Sequence, residues 1–303
     1  MLTEPPEIPP SSLLQTKAKG RFPELALLAC LFLPVAAGAQ PMRPMDSRPQ
    51  LAPPAANVNE LISRARLQTP QRVAAAERLG AKLENTSDGR SFGLIWQPAG
   101  KLPAGWIVTL HGSASWAYDE VVLWQPFAER NNLGIVALQW WFGGGQRTED
   151  YYLPRELRRE LEHLMRRAGA TRETTLLHGF SRGAANLYAL AAFDAQMPNP
   201  LFRAVIANSG GMTPDFPPNR DIDSGRPGAA PFAGTRWWLY CGGGDPNPDR
   251  DGCLAMRRTR DWLAQRGAEA QLAEDASGDH GGFHRNPRNV EQALGWFLKS
   301  RAR

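Results

Sequence analysis

The chain has 303 residues, enough for one large domain or two small ones. Hydrophobic residues make up 42% of the sequence, so the protein can bury a sizeable core. The formal net charge of +5 is small and scattered, without a Lys/Arg run long enough to form a nucleic-acid-binding patch. The composition therefore predicts a basic globular protein and argues against a nucleic-acid partner.

The N-terminal residues 1–39 carry the parts of a secretory signal peptide. Basic residues precede an apolar run at 25–37, which ends in an A-x-A sequence. The run is too short to span a membrane comfortably, and Pro34 interrupts it. We therefore expect cleavage before Gln40, export to the periplasm or the medium, and no membrane span afterwards. A lipoprotein anchored through Cys30 is the alternative, because Leu-Leu-Ala-Cys resembles a lipoprotein cleavage sequence.

Export determines how the cysteines are interpreted. After cleavage only Cys241 and Cys253 remain, an even pair in an oxidising compartment. A bond between them would close a loop of about a dozen residues, worth about 3 kcal/mol. No His/Cys cluster has metal-ligand spacing, so we predict a disulfide and no metal site.

The mature chain divides into three predicted parts. Residues 40–56 are rich in proline and predict a linker. Residues 57–90 predict an N-terminal helical segment, with a helical pattern that reaches residue 84 and a break at Pro70. Residues 91–303 predict the main domain.

From residue 91 onward, strand-like and helix-like segments alternate. The predicted strands are 91–97, 106–110, 133–141, 174–178, 203–208, 236–241 and 268–273; the predicted helices are 120–130, 153–168, 184–195, 254–265 and 290–299. Strands that alternate with helices and are continuously apolar predict an α/β fold, with a mostly parallel sheet covered by helices on both faces. Functional residues in such folds follow the carboxyl ends of the strands.

A G-x-S-x-G pentapeptide at 179–183 lies between a predicted strand and a predicted helix. This arrangement is typical of a nucleophile elbow, a tight turn that raises a serine above the sheet edge. Glycines flank the serine because a Cβ at either place would collide with the neighbouring strand and helix. Ser181 is therefore a candidate nucleophile, although an ordinary strand-to-helix turn fits the pentapeptide alone.

A serine hydroxyl is a weak nucleophile and needs a base that a carboxylate orients. Two histidines follow the pentapeptide, His280 and His284, both after the last predicted strand. His280 is the preferred base because it is nearer the strand end, in a glycine-rich loop. Asp245 follows the strand 236–241 directly after three glycines.

The sequence leaves other carboxylates open for the acid. Asp249 and Asp251 lie in the same loop as Asp245, which is preferred for its place directly after the glycines. The order Ser, Asp, His is that of an α/β-hydrolase triad.

The chain resembles the α/β-hydrolase superfamily over residues 91–303, as a secreted member similar to serine esterases. The resemblance rests on Leu-His-Gly-Ser at 110–113, Gly-Phe-Ser-Arg-Gly at 179–183, Gly-Asp at 244–245 and Asp-His-Gly-Gly-Phe at 279–283. It implies that Ser181 is the nucleophile, His280 the general base and acid, and Asp245 the carboxylate that holds His280. It also implies an oxyanion hole made by the backbone N–H groups of Ser113 and Arg182.

Aromatic residues near the predicted strand ends are candidates for substrate contacts. Trp116 follows the oxyanion loop, and Trp140 and Trp141 end the strand 133–141. His284 is a further candidate. The proline-rich insert at 212–234 is long for a plain loop and is a candidate lid or wall.

The expected activity is hydrolysis of carboxylic esters, small or polymeric, through an acyl-enzyme and without a cofactor. Two alternatives stay open: a serine peptidase of the prolyl oligopeptidase kind, because ester and amide cleavage share this machinery, and a non-catalytic binding protein on the same fold. The sequence does not specify the oligomeric state.

Overall fold

A computed structural model describes residues 53–113, 115–144 and 147–301, without the side chains of residues 300 and 301. The predicted signal peptide, its cleavage site, Cys30 and most of the predicted linker lie outside the described residues. At the end of that linker, the Ala55 N–H donates to the Phe142 carbonyl and the Pro53 carbonyl accepts from Arg64.

The chain alternates between strands and helices after two N-terminal helices. The elements in chain order are α1 (Val58–Gln68), α2 (Pro70–Arg78), β1 (Lys82–Asn85), β2 (Phe92–Trp96), β3 (Gly105–Leu110), α3 (Ala117–Arg130), β4 (Leu133–Leu138), α4 (Pro154–Ala168), β5 (Thr175–Phe180), α5 (Arg182–Asp194), β6 (Ala204–Asn208), α6 (Pro217–Asp223), β7 (Arg236–Gly242), α7 (Cys253–Gln265), β8 (Glu269–Asp275), α8 (Gly282–Arg285) and α9 (Pro287–Arg301). Each predicted strand and helix after residue 91 is present, with ends shifted by a few residues.

All eight described strands form one sheet in the order β1-β2-β4-β3-β5-β6-β7-β8. β2 runs antiparallel to both β1 and β4, and the pairs from β4 through β8 are parallel. Every residue of the inner strands β3, β4 and β6 is buried, whereas the edge strands β1 and β8 are partly exposed. Helices cover both faces, so the predicted α/β architecture is confirmed.

The N-terminal segment differs from the prediction at its end. Gly80 has φ +80, a conformation that stops α2, and residues 82–85 form a strand where a helical pattern was expected. This strand pairs with β2, with Leu83 opposite Leu94. The sheet therefore begins before residue 91, because pairing with β2 outweighs a weak helical pattern of four residues.

β4 is also shorter than predicted. It ends at Leu138, and Trp141 instead forms an isolated antiparallel bridge with Tyr151. Within the described residues, no helix has the length and apolar character needed to cross a membrane.

Candidate active site

Ser181 occupies a tight turn between the end of β5 and the start of α5. Its backbone has φ 54 and ψ −116, an uncommon conformation for a residue with a Cβ. A Cβ on Gly179 would lie 2.6 Å from the Gly183 carbonyl carbon, and one on Gly183 would lie 2.3 Å from the Leu110 carbonyl oxygen. Only glycines therefore fit at both positions, and the turn is the elbow that the pentapeptide predicts.

The loop after β3 runs beside the elbow. A Cβ on Gly112 would lie 3.3 Å from the Ser181 Cβ, and Ser113 lines the same cavity as Ser181. Arg182 is the first residue of α5, where a backbone N–H has no acceptor within the helix. The two residues predicted to form an oxyanion hole, Ser113 and Arg182, thus line the same cavity as the serine.

Ser181, His280 and Asp245 form a continuous chain of hydrogen bonds. The Ser181 Oγ lies 2.9 Å from His280 Nε2, and His280 Nδ1 lies 2.7 Å from Asp245 Oδ2. The second oxygen of Asp245 accepts the Asn247 N–H at 2.8 Å. The Asp245 side chain is 1% exposed and that of His280 30% exposed, so the carboxylate is shielded while the imidazole reaches solvent.

Close contact between two loops positions the acid and the base. A Cβ on Gly242, at the end of β7, would lie 2.4 Å from the Asp279 carbonyl oxygen. The Gly244 N–H also donates to the Gly278 carbonyl at 2.8 Å. The loops after β7 and β8 are therefore tied together through their backbones, which sets the distance between Asp245 and His280.

The rival carboxylates have other contacts. Asp251 accepts two hydrogen bonds from Arg250, at 2.9 and 2.7 Å, although one of its oxygens lies within 4.8 Å of the Asp245 and His280 ligand atoms. Asp249 is 76% exposed and pairs weakly with Arg258 at 3.7 Å. Of the three aspartates, Asp245 is the one in hydrogen-bond contact with His280.

No protein-family model and no curated protein matches this sequence. Solved structures do match in shape. The esterase from the archaeon Pyrobaculum calidifontis superposes with a TM-score of 0.56 at 10% identity, covering 80% of this chain and 93% of its own. The esterase LipW from Mycobacterium marinum gives 0.54 at 15% identity, with 82% and 91% covered. The acylaminoacyl peptidase from Pyrococcus horikoshii gives 0.50 at 16% identity, with 72% and 40% covered.

The strand order, the serine elbow and the superpositions on solved structures all indicate the same fold. The chain has the α/β-hydrolase fold. The resemblance inferred from the motifs is thereby confirmed at the level of the fold, which the matching esterases and the peptidase share at low sequence identity.

The elbow of this hydrolase fold opens into a cavity of about 310 Å³. Its lining combines the serine and oxyanion-loop residues with part of the insert 212–234; the lining residues are Ser113, Ser181, Arg182, Ala185, Gly211, Thr213, Asp215, Phe216, Arg250 and Asp251. The insert therefore forms one wall of the cavity. A larger cavity of about 690 Å³ lies between α4, α5 and α6, and Ser181 does not line it.

The three tryptophans predicted to contact the substrate differ in burial and in their distance from the cavity. Trp140 is 0% exposed and donates from Nε1 to the His111 carbonyl, so it belongs to the core. Trp116 is 9% exposed and does not line the cavity beside Ser181. Trp141 is half-buried, and its ring centroid lies 5.7 Å from the Arg182 guanidinium carbon. Of the three, Trp141 is the one beside a cavity residue.

Phe216, Arg250 and Arg182 were missed as side chains that face the nucleophile. Phe216 and Arg250 lie in loops whose sequences show no periodicity, and only folding brings them to β5. The sequence signal for Phe216 was weak, because the insert at 212–234 predicted a wall of the site but not the residue that would form it.

The predicted disulfide between Cys241 and Cys253 is present, with Cα atoms 5.0 Å apart. It joins the end of β7 to the start of α7 and encloses the loop that carries Asp245, Arg250 and Asp251. Since this loop has no regular structure of its own, the crosslink limits how far Asp245 can move from His280.

Replacing both cysteines with alanine is expected to lower the free energy of unfolding by about 3 kcal/mol, because the unfolded chain regains the entropy of the open loop. We also expect a lower kcat from the looser Asp245. Urea unfolding and ester hydrolysis by the purified protein, with and without reductant, measure both effects. Unchanged stability and turnover in the variant would contradict this role.

His284 does not line the cavity and instead packs against a buried cluster that contains Trp124 and His178. Its Nε2 is buried without a hydrogen-bond partner among the described residues, and its ring centroid lies 4.8 Å from that of Trp124. Burial, with a contribution from His178, lowers the pKa of His284 to about 3, so it is neutral at physiological pH. The expected role of His284 in substrate contact has no support in this arrangement.

The cluster beneath the site is built around Glu120 and His178, both about 1% exposed or less. Thr109 Oγ1 donates to Glu120 Oε2 at 2.5 Å and lies 2.8 Å from His178 Nδ1, and Trp124 Nε1 lies 3.3 Å from the same nitrogen. Burial alone would raise the pKa of Glu120, but the hydrogen bond and charge of His178 lower it to about 2. The His178 ring stacks on Phe283, three residues after His280, so the cluster supports the loop that carries the base.

Replacing Glu120 with glutamine is expected to destabilise the protein by about 3 kcal/mol at neutral pH, because Thr109 and His178 lose the buried carboxylate that they contact. The folded-state pKa lies below the ordinary value of 4.5, so the contribution of Glu120 is complete above that value and is lost as the pH falls towards 2. Denaturant unfolding from pH 7 to about pH 3 measures it. The difference in the free energy of unfolding between the wild type and the Glu120 variant should decrease as the pH falls.

The matched control is Glu129→Gln, at the exposed end of the same helix. It should leave stability nearly unchanged over this pH range. If the Glu120 variant differed from the wild type by the same free energy of unfolding at all pH values, an ionised Glu120 would be contradicted.

Proposed function

We propose that the protein is a serine hydrolase that cleaves carboxylic esters. The observation that carries this proposal is the hydrogen-bonded series Ser181, His280 and Asp245, with contacts of 2.9 and 2.7 Å at the elbow of an α/β-hydrolase fold. The esterase names of matching structures support the ester class. Export is part of the proposal, supported by the leader pattern and by the disulfide.

In the first half of the reaction, His280 Nε2 accepts the Ser181 proton as the Oγ attacks the acyl carbon. Asp245 accepts from His280 Nδ1–H, which keeps the imidazole in the tautomer that has a free lone pair at Nε2. The backbone N–H groups of Arg182 and Ser113 donate to the developing oxyanion, each worth about 3 kcal/mol. The alcohol then leaves with the proton held by His280, and an acyl-enzyme remains.

In the second half, His280 removes a proton from water as the water oxygen attacks the acyl carbon. The bond between the acyl carbon and Ser181 Oγ then breaks, His280 returns the proton to Oγ, and the acid leaves. His280 suits both proton transfers because its side chain is partly exposed, so water can reach Nε2. The buried Asp245 balances the positive charge that His280 carries in each transition state.

The test is a panel of p-nitrophenyl esters and peptide p-nitroanilides with the purified mature protein. A fluorophosphonate reagent, which phosphonylates activated serines, should label Ser181 in parallel, as located by mass spectrometry. Cleavage of esters and labelling at Ser181 are expected. Cleavage of anilides without esters would favour a peptidase, the activity named for one matching structure, and neither cleavage nor labelling would favour a binding protein.

A further inference from the structure

Arg182 lines the cavity directly beside the candidate nucleophile, and its guanidinium is half-buried. Other arginines of the fold pair with carboxylates, such as Arg158 with Asp194 at 2.7 Å. Among the residues that the structure describes, no carboxylate lies within ion-pair distance of Arg182. A half-buried cation without a counterion is unfavourable, so an anion that enters the cavity gains from it.

Two aromatic rings hold this guanidinium in place. Its central carbon lies 5.7 Å from the ring centroid of Trp141 and 5.7 Å from that of Phe216. Phe216 is 1% exposed and cannot move aside without opening the core. Contacts with ring faces favour the cation without using its five N–H donors, and since none of them has an acceptor among the described residues, they can bind a ligand.

The cavity lining carries two arginines and two aspartates, namely Arg182, Arg250, Asp215 and Asp251. Asp251 accepts from Arg250, and the charge of Asp215 acts on Arg250 as well. Burial lowers the pKa of Arg182, with Arg250 lowering it further and Asp251 opposing, yet a guanidinium stays protonated at neutral pH. The four charges of the lining sum to zero, and Arg182 is the arginine among them that has no carboxylate at ion-pair distance in the described part of the chain.

A buried hydroxyl without a partner lies in the same aromatic group. The Tyr151 hydroxyl is buried and has no hydrogen-bond partner in the described part of the chain, and its ring lies 5.4 Å from that of Phe216. Burial raises the pKa of Tyr151, so the hydroxyl keeps its proton and stays a donor. An unused cation and an unused donor therefore flank Phe216.

We propose that Arg182 binds a carboxylate carried by the ester substrate, close to the bond that Ser181 cleaves. This proposal rests on the proposed esterase function and deepens it by naming the substrate class. A planar carboxylate matches the guanidinium fork of Arg182, which has no ion-pair partner among the described residues. The carboxylate is bound and not transformed, so hydrolysis yields either a dicarboxylic acid or a carboxylated alcohol.

The experiment compares acids with their neutral amides on each side of the ester. The acyl-side pair is the 4-nitrophenyl monoester of adipic acid and its terminal amide. The alcohol-side pair is 4-acetoxybenzoate and 4-acetoxybenzamide. In the wild type, kcat/KM for the acid should exceed that for the amide by about tenfold or more in at least one pair. The pair that shows the preference locates the carboxylate.

Arg182→Gln is expected to lower this acid-to-amide ratio by about 10- to 100-fold, because a charge-assisted hydrogen bond is lost. The ratio is the readout because Arg182 also supplies an oxyanion N–H, and damage there lowers both rates alike. Arg182→Lys should retain part of the preference. The matched control is Arg155→Gln, an exposed arginine that lies 5.5 Å over the Phe193 ring, which should keep the wild-type ratio.

The outcomes separate the two proposals. If the wild type cleaves the amides but prefers neither acid, the carboxylate site is wrong while the esterase function stands; this comparison needs no variant to fold. A preference that survives Arg182→Gln also overturns the assignment to Arg182. If no ester in either pair is cleaved, or if Ser181→Ala cleaves them normally, the proposed function itself fails.

Discussion

Replacing Ser181 with alanine is expected to lower kcat for ester hydrolysis by about 10⁴-fold or more, because the acyl-enzyme cannot form. The residual rate would come from the oxyanion donors and from substrate binding, which the variant keeps. Burst and steady-state kinetics on a p-nitrophenyl ester measure the loss, and the burst of p-nitrophenol should disappear.

The matched control for this variant is Ser209→Ala. Ser209 also has a positive φ, 48, and lies at the end of the neighbouring strand β6, but its Oγ contacts Asn208 and not the imidazole. The control separates the loss of a nucleophile from strain or packing at a strand end. If both variants kept turnover near that of the wild type, Ser181 would not be the nucleophile.

Replacing Asp245 with asparagine is expected to lower kcat by about 10⁴-fold while leaving the fold intact. An asparagine amide that donates towards Nδ1 would favour the tautomer with the proton on Nε2, which cannot accept from Ser181. The loss of the carboxylate also leaves the imidazolium unbalanced in the transition state. Steady-state kinetics give the size of the loss, and near-ultraviolet circular dichroism tests whether the packing survives.

The same loop offers two comparison residues. Asp249→Asn, at an exposed carboxylate, should keep activity close to that of the wild type. Asp251→Asn tests the nearer rival, which is held by Arg250. If the Asp251 variant lost activity and the Asp245 variant did not, the orienting carboxylate would be Asp251.

Much of this fold could be predicted because the inner parallel strands are short, largely apolar segments between turn residues. The strands that became β3, β5 and β6 are buried on both faces, which is the environment that such runs indicate. The helix α4 likewise carries its apolar stripe of leucines, each 0% exposed.

The edge of the sheet was harder to predict. Residues 82–85 have no strong period, and their strand conformation depends on pairing with β2 across a turn. The end of β4 was misjudged for a related reason, since Trp140 and Trp141 are apolar enough for a strand, but the pairing with β2 ends at Gly93 and Leu138. Local sequence cannot report whether a neighbouring strand is present.

The order of residues along the chain was sufficient to select Ser181, Asp245 and His280 as candidates. A glycine-flanked serine, followed by an acid after one later strand and a base after the last strand, is a recognisable pattern. That they meet is decided by the sheet, where β5, β6, β7 and β8 are neighbours and their carboxyl ends lie at one edge. The aromatic candidates could not be chosen in this way, since a tryptophan near a strand end can face the core, as Trp140 does.

By itself, the sequence determined the α/β architecture, the elbow and the cysteine pair, because each depends on local steric requirements or on residue type. The surroundings of the nucleophile were decided by the tertiary structure alone. Phe216 and Trp141 come from distant parts of the chain, and only packing places Arg182 between them without a counterion. Charge compensation depends on distances in space, which is why the cation beside Ser181 became apparent only in the folded chain.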